Sequence, residues 1–357
     1  MIISRTPYRI SFFGGGTDYP LWYRRHGGAV LVTTINKYCY LTCRYLPPFF
    51  DYRHLIVWSQ IERVSSVAEI QHPSVRETLR FLRITEGVEI HHDGDLPART
   101  GLGSSSAFTV GLLHGLYALR GVMPSKARLA REAIVIEQDR LKECVGSQDQ
   151  IAAAVGGMNR IDFKPDGEFR VSPLVIPRAR LEVLQDHLML LFTGISRTAS
   201  EIVRTQLDAM PAKIRELAAL QQMVDEGVDV LTGAGDLERF GALLHEAWQV
   251  KRSLTDRIST PVIDQMYEAA RRAGALGGKL LGAGGGGFLL LFVRPQQQAK
   301  VARALKQLLQ VPFRFEDGGS RIIFYDSESV ESQQRQERPR RSTRRTVAPL
   351  AVAASSR

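Results

Sequence analysis

The chain has 357 residues, 44% of them hydrophobic and 24% charged, with a formal net charge of +10 at pH 7; a chain this long points to two domains rather than one core. Its three cysteines, Cys39, Cys43 and Cys144, lack the number and spacing of a disulfide scaffold or structural zinc site, so a reducing, cytoplasmic setting is expected. Part of the positive charge lies from Ser327 onward, where seven arginines face three glutamates, and the most apolar run, Phe288 to Val293, is far too short for a bilayer. Neither a specific nucleic-acid partner nor a membrane is expected.

From the start, Met1 to Arg9 breaks its apolar residues with two arginines and a proline, unlike a signal peptide. Apolar or β-branched runs predict strands over Tyr8 to Phe13, Ala29 to Ile35, Tyr38 to Tyr45, His54 to Trp58 and Val88 to His91. The first runs into Gly14-Gly15-Gly16-Thr17-Asp18, which brings backbone close to a ligand and offers Asp18 as a double acceptor for sugar hydroxyls. An ordinary glycine turn, with Asp18 capping the next helix, explains that segment equally well.

The stretch from Asp95 to Ala107 sets Gly101, Gly103 and the hydroxyls of Ser104, Ser105 and Ser106 ahead of an apolar helical run. Glycines there let backbone N–H groups turn toward an anion at the positive end of a helix, and a serine hydroxyl suits magnesium. The plainer reading is a turn in which Ser104 caps the helix. It is not a Walker A loop, since Gly278-Lys279 is followed by Leu280 rather than Ser or Thr.

Helices are predicted over Ser105 to Arg120 and Ser125 to Glu143. Glu137 and Asp149 lie twelve positions apart and converge only if the chain folds back at Gly146. Phosphoryl transfer uses such a pair, one carboxylate for magnesium and one for the proton of the attacking hydroxyl.

A second region begins near Asp186, with a strand over His187 to Thr193 and helices over Ser200 to Val230, Asp236 to Arg252 and Pro261 to Ala273. Seven glycines between Gly277 and Gly287 are costly to order, so this loop is expected against a ligand or another backbone. Lys279 within it offers charge to phosphate, although a lysine beside a loop is more often at the surface. The strand Phe288 to Val293, a helix over Gln297 to Leu309 and a strand over Arg321 to Tyr325 complete an α+β pattern. The Ser-, Gln- and Arg-rich segment that follows is expected to be disordered. The eight histidines show no metal spacing, and adjacent His91 and His92 would face opposite ways on a strand. No Gly-x-Ser-x-Gly elbow supports a hydrolase.

In this order the four segments resemble the GHMP kinase superfamily over about residues 5 to 325, carried by Pro97 with Gly101 to Ser105 and by Gly282 to Gly287. The wording of Gly14 to Asp18, Gly146 to Gln150 and Thr193 to Ala199 is most similar to heptose 7-phosphate kinases. The resemblance implies an N-terminal β-α-β nucleotide domain over 1–185, a ferredoxin-like domain over 186–326, a basic tail over 327–357, and a small-molecule sugar phosphate bound between the domains. It implies ATP and Mg2+, with Pro97, Gly101, Leu102, Gly103, Ser104, Ser105 and Ser106 around the nucleotide phosphates and Asn36 and Lys37 at the adenine. Ser105 and Glu137 would hold the metal and Asp149 would be the base. Asp18, Gly15, Gly16, Gly284 and Gly285 would meet the sugar, and Arg197 its phosphate. Ser106 stands where many members have alanine, which leaves open which serine meets the metal. Two rivals stay open, a kinase for an unphosphorylated sugar of the fucose or galactose type and a non-catalytic sensor on the same fold. A homodimer is also left open.

Overall fold

The computed structural model describes residues 1–98, 100–195 and 199–326; Arg197 and the segment from Ser327 lie outside the described residues. The first part of the chain runs β1 (Ile2–Phe13), α1 (Pro20–His26), β2 (Gly28–Tyr45), β3 (His54–Val57), β4 (Ile61–Val64), α2 (Pro73–Leu82), β5 (Val88–Gly94), α3 (Ser104–Leu119), α4 (Lys126–Ile134), α5 (Gln148–Val155), β6 (Asn159–Phe163) and β7 (Phe169–Pro173). There follow α6 (Arg178–Asp186), β8 (Leu188–Phe192), α7 (Ala199–Ala209), α8 (Ile214–Thr232), α9 (Glu238–Arg252), α10 (Pro261–Ala273), β9 (Ala275–Leu280), β10 (Phe288–Val293), α11 (Pro295–Ala304), β11 (Leu309–Gln310), β12 (Phe315–Glu316) and β13 (Arg321–Tyr325).

Among the described residues, nine strands form one sheet whose main path is β13-β1-β2-β5-β3-β4, with β6 and β12 also on β2. The two strands expected over Ala29 to Tyr45 are one strand, because β2 continues through Asn36-Lys37. It pairs with β6 through its first half and β5 through its second. Pro7 has no N–H to give the ladder, and the β1–β2 register shifts between Pro7 and Arg9. The freed Arg9 N–H donates to Leu102 O at 3.0 Å, which ties the first strand to the serine loop.

Helix α3 is buried almost all round and lies on this sheet. A Cβ on Gly111 would come within 2.8 Å of Thr6 Oγ1, so glycine lets helix and strand approach closely. The helix expected to run to Glu143 changes instead to a π-helical turn over Val135–Arg140, and this turn carries Glu137. The long helix expected over Ser200 to Val230 is broken at Met210–Ala212, where Pro211 cannot extend the hydrogen-bond ladder.

The second sheet is antiparallel in the order β11-β8-β10-β9, with α7 to α10 between β8 and β9 and α11 between β10 and β11. That order is the split β-α-β arrangement of a ferredoxin-like domain, and the whole is an α+β fold. Every residue of β10 is buried, as the unbroken apolar run predicts. The last strand does not stay with this sheet: β12 pairs with Thr34 and Ile35, and β13 pairs with β1. Chain order suggested otherwise, but alternating polar and apolar residues do not say which sheet offers a free edge.

Candidate active site

A cleft of about 1120 Å³ opens between the two sheets, lined by the first glycine turn, the serine loop, the start of α5 and the glycine loop. Gly101 has φ +85° and an added Cβ would lie 2.3 Å from Leu281 O. Gly282, at φ +78°, would meet Gly101 Cα at 2.4 Å. The serine loop and the glycine loop therefore lie backbone against backbone, which is where the conformational cost of these glycines is recovered. Gly284 and Gly286 approach Ile258 and Ile195 in the same way. No side chain caps α3, whose N-cap is Gly103 at φ +74°. Its first-turn amides thus start from a side-chain-poor loop on the cleft wall, an arrangement suited to an anion.

Asp149 lies in the first turn of α5, with its carboxylate over the start of α3: a Cβ on Gly103 would be 3.3 Å from Asp149 Oδ2. Arg9 donates Nε to Oδ1 and Nη2 to Oδ2, both at 2.7 Å, and Nη1 to Gly101 O at 2.7 Å. Arg9 is only 4% exposed, whereas a quarter of the Asp149 side chain stays open to the cleft. The forked pair fixes the carboxylate and leaves it accessible. Sequence reading gave Arg9 no role; the signal was a charged residue inside the strand that runs into the first glycine turn.

Asp18 is buried, and its oxygens accept from Gly16 N–H and Gln148 Nε2, each at 3.0 Å. It does not cap α1. Burial raises its pKa above the ordinary carboxylate value, and the nearby Asp149 adds to the rise. A Cβ on Gly146 would lie 1.8 Å from Asp18 Oδ2, so the fold-back at Gly146 requires glycine and brings Asp18 and Asp149 together.

Glu137 is fully buried. Its Oε2 accepts from Ser106 Oγ at 2.8 Å and from Gln150 Nε2, while Oε1 has no partner among the described residues. Burial pushes its pKa up to about 7. The serine that reaches it is Ser106; Ser105, expected to share the metal, is exposed at the helix start. A hydroxyl beside a carboxylate with an orphaned oxygen fits a hard cation such as magnesium. No group of three or more His, Cys, Asp or Glu side chains among the described residues forms a metal site, so such a cation would draw further ligands from phosphate and water.

Other expected residues lie elsewhere. Asn36 donates its N–H to Arg314 O and accepts Arg314 N–H at Oδ1, so it holds the returning chain; neither Asn36 nor Lys37 lines the cleft. Leu102 is a core residue, and the carbonyl of Pro97 accepts Thr100 Oγ1. Gly15, Gly16 and Gly284 line the cleft, whereas Gly285 donates to Ile258 O. Sequence reading missed the aromatic end of the cleft, where His72 stacks on Phe108 at 4.6 Å between ring centres and Trp58 and His92 meet them edge-on. His91 pairs instead with Glu89. Lys279 is not at the surface: it is 4% exposed and donates Nζ to Phe12 O at 2.8 Å. Lys251, at the end of α9, is also buried and donates Nζ to Gly282 O at 2.6 Å.

A glycine–serine loop opening a buried helix, closed by a ferredoxin-like domain, defines a small-molecule kinase. "GHMP kinases N terminal domain" describes residues 67–157 and "GHMP kinases C terminal" residues 218–310, and the chain belongs to the GHMP kinases. It is 27% identical over 320 residues to a D-glycero-alpha-D-manno-heptose 7-phosphate kinase of Campylobacter jejuni, covering 86% of this chain and 93% of that one. A bifunctional fucokinase/GDP-fucose pyrophosphorylase of Arabidopsis thaliana is 26% identical across 83% of this chain and 30% of its own length. Among solved structures, a "D-glycero-D-manno-heptose 1-phosphate kinase from Bacteriodes thetaiotaomicron" superposes with a TM-score of 0.74 at 26% identity, over 91% of this chain and 99% of that one. GHMP kinases take ATP as phosphate donor. Among the described residues, no helix is long and apolar enough to cross a membrane.

Proposed function

We propose that the protein is an ATP-dependent sugar kinase that phosphorylates the anomeric hydroxyl of D-glycero-D-manno-heptose 7-phosphate. One observation carries this reading: the Asp149 carboxylate, held by Arg9, lies against the helix start that would receive the nucleotide phosphates. Asp149 takes the proton of the attacking hydroxyl, and Arg9 orients it. Asp18 and the glycine turn bind sugar hydroxyls, and first-turn amides of α3 bind phosphate oxygens. The aromatic end of the cleft stacks the nucleobase. Glu137, with Ser106 or a neighbouring serine, would hold magnesium, which would supply positive charge against the nucleotide phosphates. Arg197 remains the candidate for the acceptor's own phosphate, and the division at about residue 186 remains the proposed domain boundary.

The two heptose kinases support a phosphorylated heptose as acceptor, although their names place its phosphate differently. The fucokinase favours the unphosphorylated alternative. A panel of fucose, galactose, and heptose 1- and 7-phosphates, followed by ADP release and by NMR of the product, separates these readings. Asp149→Asn should lower turnover by about 10² to 10⁴ while Mg–ADP still binds. Wild-type turnover in that variant would refute the assigned base; absence of ADP release with every sugar would support a sensor.

A further inference from the structure

The second domain places two buried lysines in the cleft, one from α9 and one from β9. Each ammonium has three donors, yet each makes one hydrogen bond among the described residues, to a backbone carbonyl. No carboxylate among the described residues forms an ion pair with either. A buried cation with no directly paired carboxylate and with spare N–H donors is costly, so this corner of the cleft is suited to an anion. Arg9 is already committed to Asp149 through both carboxylate oxygens.

The two lysines differ in what surrounds them. Burial lowers the pKa of both and Arg9 lowers both further; Lys251 has Asp18 and Asp149 in support and reaches about 8, whereas Lys279 has only Asp18 in support and is also opposed by Lys251. Lys251 therefore keeps its charge at neutral pH, in the field of the candidate base Asp149. Its anchoring carbonyl belongs to Gly282, the residue packed against Gly101 of the serine loop. The ammonium thus lies where the glycine loop, the serine loop and the Asp149 side of the cleft meet.

We propose that Lys251 is a further catalytic residue, whose ammonium contacts the phosphoryl group as it passes from nucleotide to acceptor. This rests on the kinase reading above. In the step, Asp149 takes the hydroxyl proton and the acceptor oxygen bonds to the γ-phosphorus. The bond from that phosphorus to the bridging oxygen breaks, and ADP leaves. Lys251 stays protonated throughout and donates its remaining N–H groups to the equatorial oxygens, where charge is spread during transfer. Lys279 supports the floor of the cleft by donating Nζ to Phe12 O.

The test compares wild type, Lys251→Met and Lys251→Arg in steady-state assays with Mg–ATP and the sugar phosphate accepted by the wild type, between about pH 6.5 and 10, a window that brackets the lowered Lys251 pKa of about 8. Lys251→Met should lose about 10²-fold or more in kcat, with Mg–ADP affinity nearly unchanged. The Lys251 charge is full below its pKa and lost above it, in the field of Arg9 from β1, Asp18 from the first glycine turn, Asp149 from α5 and Lys279 from β9. Wild-type kcat/KM should therefore decline above about pH 8. Lys251→Arg, whose guanidinium stays charged, should keep most of the activity and show no such decline. A folded Lys251→Met enzyme with wild-type kcat overturns the proposal. A raised acceptor KM at unchanged kcat also overturns it, because that assigns Lys251 to the acceptor's own phosphate. Should Lys251→Met fail to fold, an alkaline decline that persists in Lys251→Arg overturns it. If the wild type releases no ADP with any acceptor, the kinase reading fails first, before any variant is compared.

Discussion

Glu137 shows how far one buried carboxyl group can set solution behaviour. Its pKa rises from 4.5 unfolded to about 7 folded, because burial disfavours the charged form. The native state then holds the proton more tightly than the unfolded chain, so this contribution is complete below pH 4.5 and is lost as pH rises through about 7. The shift corresponds to about 3 kcal/mol at most. Glu137→Gln mimics the protonated acid; in EDTA its melting temperature should exceed that of the wild type by a margin that grows from pH 5 to pH 8, on the linkage just given. A constant margin would reject the titration. Adding Mg–ATP should raise the wild-type melting temperature more than the variant's. At this scale the sequence was partly legible. Asp18 and Asp149 stood out because carboxylates close to glycine turns are conspicuous, and Glu137 through its spacing to Asp149 and the family resemblance, whereas Arg9 and Lys251 acquire their environment only when strands and helices distant in the chain close over them.

Among the elements, the contact between the two glycine loops is the most sensitive. Gly101→Ala forces a Cβ to 2.3 Å from Leu281 O and places alanine at φ +85°. The backbone term alone is about 1–2 kcal/mol. Gly121 provides the control, since its φ is +70° but nothing lies within 4 Å of an added Cβ. Gly101→Ala should lower the melting temperature clearly more than Gly121→Ala does, and only Gly101→Ala should raise the KM for ATP. Equal effects on both measurements would mean that the close approach is unimportant. Periodicity located β10, α9 and α10 well, since these bury one face or all faces of a continuous run. It did not foresee the passage of β2 through Asn36-Lys37, the π turn at Glu137 or the break at Pro211. The first depends on neighbours from both ends of the chain and the second on a local change of helical pitch, whereas the third was written in Pro211 itself and was overlooked.

At the level of the whole molecule, the returning segment joins the two domains. Ser320 Oγ accepts from Thr6 Oγ1 and lies 2.9 Å from His114 Nδ1, and its carbonyl accepts from Lys126. Gly156 and Gly319 belong to the same seam, where a Cβ on Gly156 would lie 2.0 Å from Gly319 N. A chain ending at Arg314 loses this seam together with β12 and β13. Relative to a chain ending at Asp326, it should melt at least about 5 °C lower, since even 1 kcal/mol is worth several degrees in a domain of this size. Coincident melting curves would show that the returning strands are dispensable. The return was invisible in the sequence because Arg321 to Tyr325 reads as a strand in either sheet.

The β1–β13 pairing also bears on how the polypeptide is made. Ile2 and Ile3 meet Tyr325 and Phe324, so the earlier-made strand of the pair waits until both domains between them have been synthesised. Until then an apolar strand carries an open edge, which invites pairing with a neighbouring nascent chain. Pausing or crowding during translation should therefore reduce yield through this edge before the interior of either domain is affected.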